Sequence, residues 1–231
     1  MPATRKATRR LILGRNPPRR APTHVSKNRS GASVVQSAIR IKVWQQQLPT
    51  VEEVRPGRCP ACKAASCPVG RAHQLHGHGT RKRQVRGPSG PGQPAATVEI
   101  LARRYRCILC GAVIVVVPQE VRARRLYSAS AIGLALALWG LVGATSSKVR
   151  RRISPATILG DTAATGWATL RRWARAVANQ QLVAWAPRAR PSATLRQVAA
   201  SAAVALAASA DPATRRLSIE QRAFFGAAHA A

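Results

Sequence analysis

The chain is predicted to be of the α+β class, with a small β-sheet in its first half and helices in its second. Two observations concern patterning. Residues 76–117 contain strand-like runs with β-branched stretches, broken by glycine and proline, whereas after Pro118 the apolar residues recur every three to four positions. The third is chemical: the pairs Cys59-Pro60-Ala61-Cys62 and Cys107-Ile108-Leu109-Cys110 bracket the strand-like region. Each pair puts two thiols on one tight turn, and two such turns together supply the four sulfurs of a tetrahedral Zn²⁺ site. A small sheet buries too little apolar surface to stand alone, and a structural zinc adds on the order of 10 kcal/mol of folding free energy. The expected unit is a zinc ribbon, running knuckle, strand, loop, strand, knuckle, strand.

Composition bounds the partner. The 231 residues, 46% of them hydrophobic, are enough for one or two modest domains. Against 7 Asp+Glu stand 38 Lys+Arg, a formal net charge of +31, so compaction works against self-repulsion that a polyanion would relieve. Nucleic acid is the expected polyanion. Only six of the basic residues are lysine; arginine suits bidentate contact with phosphate and guanine edges, although GC-rich codon usage produces the same bias. Five cysteines, an odd number, and no evident secretory signal point to a reducing cytoplasm, with the protein at the nucleoid. Metal-dependent phosphoryl transfer needs two or three converging carboxylates, which seven scattered acids supply poorly, and no phosphate loop or nucleophile elbow is seen. No catalytic residue is predicted, and the chain reads as a non-enzyme.

Residues 1–50 read as a basic arm, disordered and largely flexible, in which residues 33–47 have the make-up of a short helix. The arginine-rich, acid-free start also resembles an organellar transit peptide. Residues 51–125 form the expected ribbon, with strands over 76–85, 97–105 and 112–117 and a Gly/Pro loop at 87–94. Cys59, Cys62, Cys107 and Cys110 are the candidate metal ligands. Cys67, His73, His76 and His78 stay open: Cys67 with one histidine could replace a pair or hold a second ion, and the histidines equally suit a polar strand or a nucleic-acid contact. Arg81, Lys82 and Arg83 are candidates for phosphate contacts that carry no sequence information.

Residues 126–190 are predicted to be a helical bundle. Residues 126–147 carry no charge and are long enough to cross a bilayer, yet their strongly apolar part, 131–142, is too short to span one. With Ile132, Leu136 and Trp139 on one face and Leu134, Leu138 and Leu141 on another, this segment is apolar nearly all round and fits the central helix. Ser154-Pro155 reads as an N-cap and first-turn proline opening a helix to about residue 164, followed by a turn at Thr165-Gly166 and a helix over 167–178. In that last helix Leu170, Trp173, Ala174 and Val177 fall on one stripe and Arg171, Arg172 and Arg175 point away from it. This is the layout of a helix-turn-helix recognition helix; the alternative is an ordinary helix with a solvated arginine face. Residues 191–231 form an alanine-rich helical tail, with Leu195, Val198, Ala202 and Leu206 along one helix. A capping-box pattern at residues 218–221 opens a second helix, anchored by Phe224 and Phe225. These faces suit packing on the bundle or pairing with a second copy, as a homodimer.

The segments Arg58-Cys59-Pro60-Ala61-Cys62, Leu75-His76-Gly77-His78-Gly79, Arg103-Arg104-Tyr105-Arg106-Cys107-Ile108-Leu109-Cys110-Gly111 and Val117-Pro118 resemble, in order, the N-terminal zinc ribbon of bacterial insertion-sequence transposases. They also resemble a related family of uncharacterised transposase-associated proteins. Gly166-Trp167-Ala168-Thr169-Leu170-Arg171-Arg172-Trp173 is similar to the helix-turn-helix attached to that ribbon, so the likeness covers about residues 55–180. It implies recognition of element ends or other DNA, with zinc on Cys59, Cys62, Cys107 and Cys110. Such transposases continue into a catalytic domain with an acidic triad, and this chain has no such domain. The expectation is a non-enzymatic, zinc-dependent protein that binds double-stranded DNA and no membrane, with an RNA-binding or ribosome-associated role as the alternative.

Overall fold

A long hairpin organises the first half. In the computed structural model, which describes residues 33–157, 166–183, 186, 188 and 190–229, β2 (Leu75–Pro88) and β3 (Ala95–Cys107) pair antiparallel, with Leu75 opposite Cys107 and Pro88 opposite Ala95. The glycine- and proline-rich residues between them make the connection. β4 (Val113–Val117) returns antiparallel on β3, and its valines are buried on both faces: Ile114 and Val116 on one side, Val115 and Val117 on the other. The mixed α+β class and these three strands follow the sequence expectation.

Residues 33–50 depart from it. Although assigned to the flexible arm, with a helix over 33–47, they supply β1 (Ser33–Gln36), which completes a sheet of order β1-β4-β3-β2 by pairing parallel with β4. The short helix α1 (Ile41–Gln46) follows and seats Trp44 against the sheet, 2% exposed, with its indole N–H donating to the Leu101 carbonyl at 2.9 Å. The buried Glu120 carboxylate accepts from the Ile41 amide at 2.8 Å and pairs with Arg40 at 3.2 Å. Burial of one large aromatic ring and pairing along the β4 edge outweigh the entropy of ordering this segment. The expected arm over residues 1–32 lies outside the described residues.

The helical half is built on α2 (Ala129–Gly140), capped by the Ser128 hydroxyl and buried along most of its length. The tail does not stand apart from it. α5 (Leu195–Ala208) and α6 (Ile219–His229) pack on α2 and on each other, so Val198, Ala202, Leu206 and Phe224 share one core with Ile132 and Leu136. The closest approach is at Gly226, where an added Cβ would lie 1.7 Å from the Leu206 carbonyl oxygen, so glycine is required at that crossing. The tail face offered above to a second copy is thus covered within the chain. No helix among the described residues is long and apolar enough to cross a membrane.

Two further helices carry charge. α3 (Ser146–Ile153), not expected from the sequence, is capped by the Thr145 hydroxyl, which accepts from the Lys148 amide, and it buries Val149 and Ile153 at i, i+4. Ser154 closes this helix instead of opening the next: its backbone is extended and its amide donates to the Arg150 carbonyl at 2.8 Å. Residues 155–157 are not helical, and the rest of the helix expected there, with the Thr165 part of its turn, lies outside the described residues. α4 (Ala168–Ala178) forms as predicted, with Leu170, Trp173, Ala174 and Val177 buried.

Candidate metal centre

The hairpin register carries Cys107 to the end of β3 beside Leu75, and the loop before β2 folds back so that Cys59 reaches the same point. The two Cys-x-x-Cys turns have matching backbones. The Lys63 amide donates to the Cys59 carbonyl and the Cys59 amide to the Ala64 carbonyl, both at 2.9 Å; in the second turn Gly111 donates to Cys107 at 2.9 Å and Cys107 to Ala112 at 3.0 Å. The residue after each second cysteine is left-handed, Gly111 at φ 74° and Lys63 at φ 63°. Glycine reaches this region freely, whereas lysine is held there by the turn.

All four sulfurs lie within 4.8 Å of one another. The Cys59–Cys110 and Cys62–Cys107 sulfur separations are both 3.7 Å, far longer than the roughly 2.05 Å of a disulfide. A tetrahedral ion with metal–sulfur bonds of about 2.3 Å has sulfur–sulfur edges of about 3.8 Å. The cluster therefore fits a metal ion in size and in donor set. Cys59 and Cys107 are fully buried, and Cys62 and Cys110 are exposed.

The thiols feel one another. Burial pushes the Cys59 thiol up, but the Cys62 and Ala61 amides and the neighbouring sulfurs more than offset it and hold the group at about 7. Desolvation of its sulfur within the cluster and the adjacent sulfurs, against the Ala112 amide, push Cys110 up to about 12 although the residue is otherwise exposed. Backbone amides aimed at sulfur stabilise thiolate whether the opposing charge is a proton or a metal.

Cys67 and the histidines lie outside this cluster. The His76 ring meets the His73 carbonyl at 2.8 Å, and all four side chains are exposed. Among the described residues the four cysteines form the one group of three or more potential ligands.

The three neighbouring cations of β2 have separate fates; alternation along the strand sets Lys82 on the opposite face from Arg81 and Arg83, and what lies across from each decides the rest. Arg83 turns inward and donates to the Arg122 carbonyl and, at 3.1 Å, to that of Arg125, which makes it a brace. Lys82 pairs with Glu99 at 3.0 Å, and Arg81 is exposed. On α4, Arg171, Arg172 and Arg175 are all exposed, opposite the buried stripe. Sequence reasoning missed Arg150 on α3 and the irregular segment holding Arg124 and Arg125. Thr145 before the Val149/Ile153 pair was a legible signal for α3; residues 122–128 have no periodicity to read.

Compared with family models, with curated proteins and with solved structures, the chain matches none.

Proposed function

We propose that this chain is a zinc-dependent DNA-binding protein without catalytic activity, in which the four cysteines hold a ribbon-like sheet and α4 serves as the recognition helix of a helix-turn-helix. The observation that carries this reading is α4. One side of it is locked into the helical core and the other presents three exposed arginines that form no ion pair among the described residues, in a chain whose cations outnumber its acids by 38 to 7. Of the six described carboxylates, Glu52 pairs with Arg55, Glu99 with Lys82 and Glu120 with Arg40, and no three of the six gather into one cluster among the described residues, which favours the binding reading. The proposed origin in the DNA-recognition region of insertion-sequence transposases rests on the resemblance of residues 58–118 and 166–173 alone.

The test joins metal analysis of the purified full chain with binding to selected DNA duplexes at several salt concentrations. One zinc per chain and an affinity that falls steeply with salt are expected. Tighter binding to structured RNA than to duplex DNA at equal salt would move the chain to an RNA-binding role.

A further inference from the structure

Two open troughs meet where the sheet passes into the helices. One, of about 450 Å³, runs along β2 beside Arg81, Lys82 and Arg83 and is closed on one side by Arg124, Arg125 and Leu126. The other, of about 410 Å³, lies between the end of β2 and α4; Arg86, Arg150 and Arg172 line it, and Arg124, Arg125 and Leu126 do so again. The shared segment sets the two side by side. Among the described residues no acidic residue lines either trough, so the described lining carries charge of one sign.

The floor is built for charge. Residues 126–128 are laced to β2, the Arg86 amide donating to the Leu126 carbonyl at 2.8 Å and the Ser128 amide to the Arg86 carbonyl at 3.0 Å. Arg124 is held at φ 56°, a left-handed backbone that arginine seldom adopts and that persists only where the surroundings enforce it. The Nε of half-buried Arg86 is shielded from solvent and has no hydrogen-bond partner among the described residues.

The neighbouring aromatic rings indicate which anion. Tyr127, Trp167 and Trp173 interlock edge to face at 5.1–5.8 Å, and both tryptophans are buried. All three line the second trough, yet each packs edge to face on the others and the two indoles are buried, which places them poorly to take an unstacked base as single-strand binders do. A trough whose charged lining is arginine suits a phosphodiester backbone whose bases remain paired.

We propose that Arg86, Arg124, Arg125, Arg150 and Arg172 form a track for one phosphodiester strand of duplex DNA, joining Arg81 on β2 to the arginines of α4 across a single duplex. This rests on the DNA-binding reading above and adds the surface that carries the backbone. The test uses the zinc-loaded full chain and a mixed-sequence DNA duplex. R124N/R150Q removes two track charges, and asparagine tolerates the left-handed backbone; R215Q/R216Q removes two exposed charges from the connection between α5 and α6. The slope of log K against log salt should flatten by about 1.8 in the first and stay unchanged in the second. R125Q alone, which leaves the Arg124 backbone untouched, should flatten it by about 0.9. A steep wild-type slope with no difference between track and control variants overturns the track and leaves DNA binding standing. A wild-type affinity indifferent to salt overturns both, and preference for single strands or duplex RNA at equal salt overturns the assignment to duplex DNA.

Discussion

The four thiols share a position but differ in how readily each gives up its proton, and that sets how metal binding should respond to pH. Metal and proton compete for the same sulfur, so affinity falls as pH falls. Cys59, held at about 7, has already lost its proton above neutrality, whereas Cys110, pushed up to about 12, keeps one until the ion displaces it. The slope of log affinity against pH should therefore lessen by about one as pH rises through about 7; zinc titrations between pH 6 and pH 8 with a competing chelator measure this, and a constant slope would count against the Cys59 assignment. At the same scale, Cys59→Ser or Cys107→Ser should abolish the expected single zinc, and Cys67→Ser should leave it intact, as read by metal analysis. These ligands were legible in the sequence because a Cys-x-x-Cys turn is local. The separate fates of Arg81, Lys82 and Arg83 were half legible: a period of two puts Lys82 across the strand from its neighbours, but nothing nearby in sequence shows Arg83 reaching carbonyls some forty residues on.

At the scale of elements, the helices and strands with their own periodicity were read from sequence and those defined by distant partners were not. α4 announces itself through its buried stripe, and β2, β3 and β4 through their composition. β1 is four residues long, too short for a periodic signal, and its partner lies some eighty residues away. Its contribution can be measured by truncation. A chain beginning at residue 33 should keep the sheet, whereas one beginning at residue 51 should lose the cover of Trp44 and leave β4 as an unpaired edge. A fall in stability of about 3–5 kcal/mol from the lost ring alone, and concentration-dependent aggregation, are expected in denaturant titration and light scattering. The helix crossing at Gly226 gives a second check. Alanine there gains about 1 kcal/mol of helix propensity, but its methyl group must displace the Leu206 carbonyl, so Gly226→Ala should destabilise by about 1–3 kcal/mol net. A more stable variant in urea titration would mean that the α5–α6 approach is looser than described.

For the molecule as a whole, two kinds of core sit side by side. The helical core holds no cysteine, while the core under α1 includes Cys59 and Cys107 among its buried residues. Removing the ion should thus act unevenly. With a strong chelator, amide exchange in β2, β3 and α1 is expected to accelerate sharply while α2, α5 and α6 stay protected; uniform loss of protection would show that the two cores unfold as one. The adjoining basic troughs were beyond sequence reading because their lining residues come from β2, α3, α4 and an irregular segment, four places brought together only by the chain's path.

The burial of two sulfurs and exposure of the other two gives the centre a dry side and a wet side. An ion seated there is anchored from beneath by Cys59 and Cys107 and can be approached from above past Cys62 and Cys110. Loading, theft by competing thiols and attack by oxidants all have to begin at that outer edge. In the proposed zinc centre, the pair that faces the cell's chemistry would thereby set how long the inner pair keeps its metal.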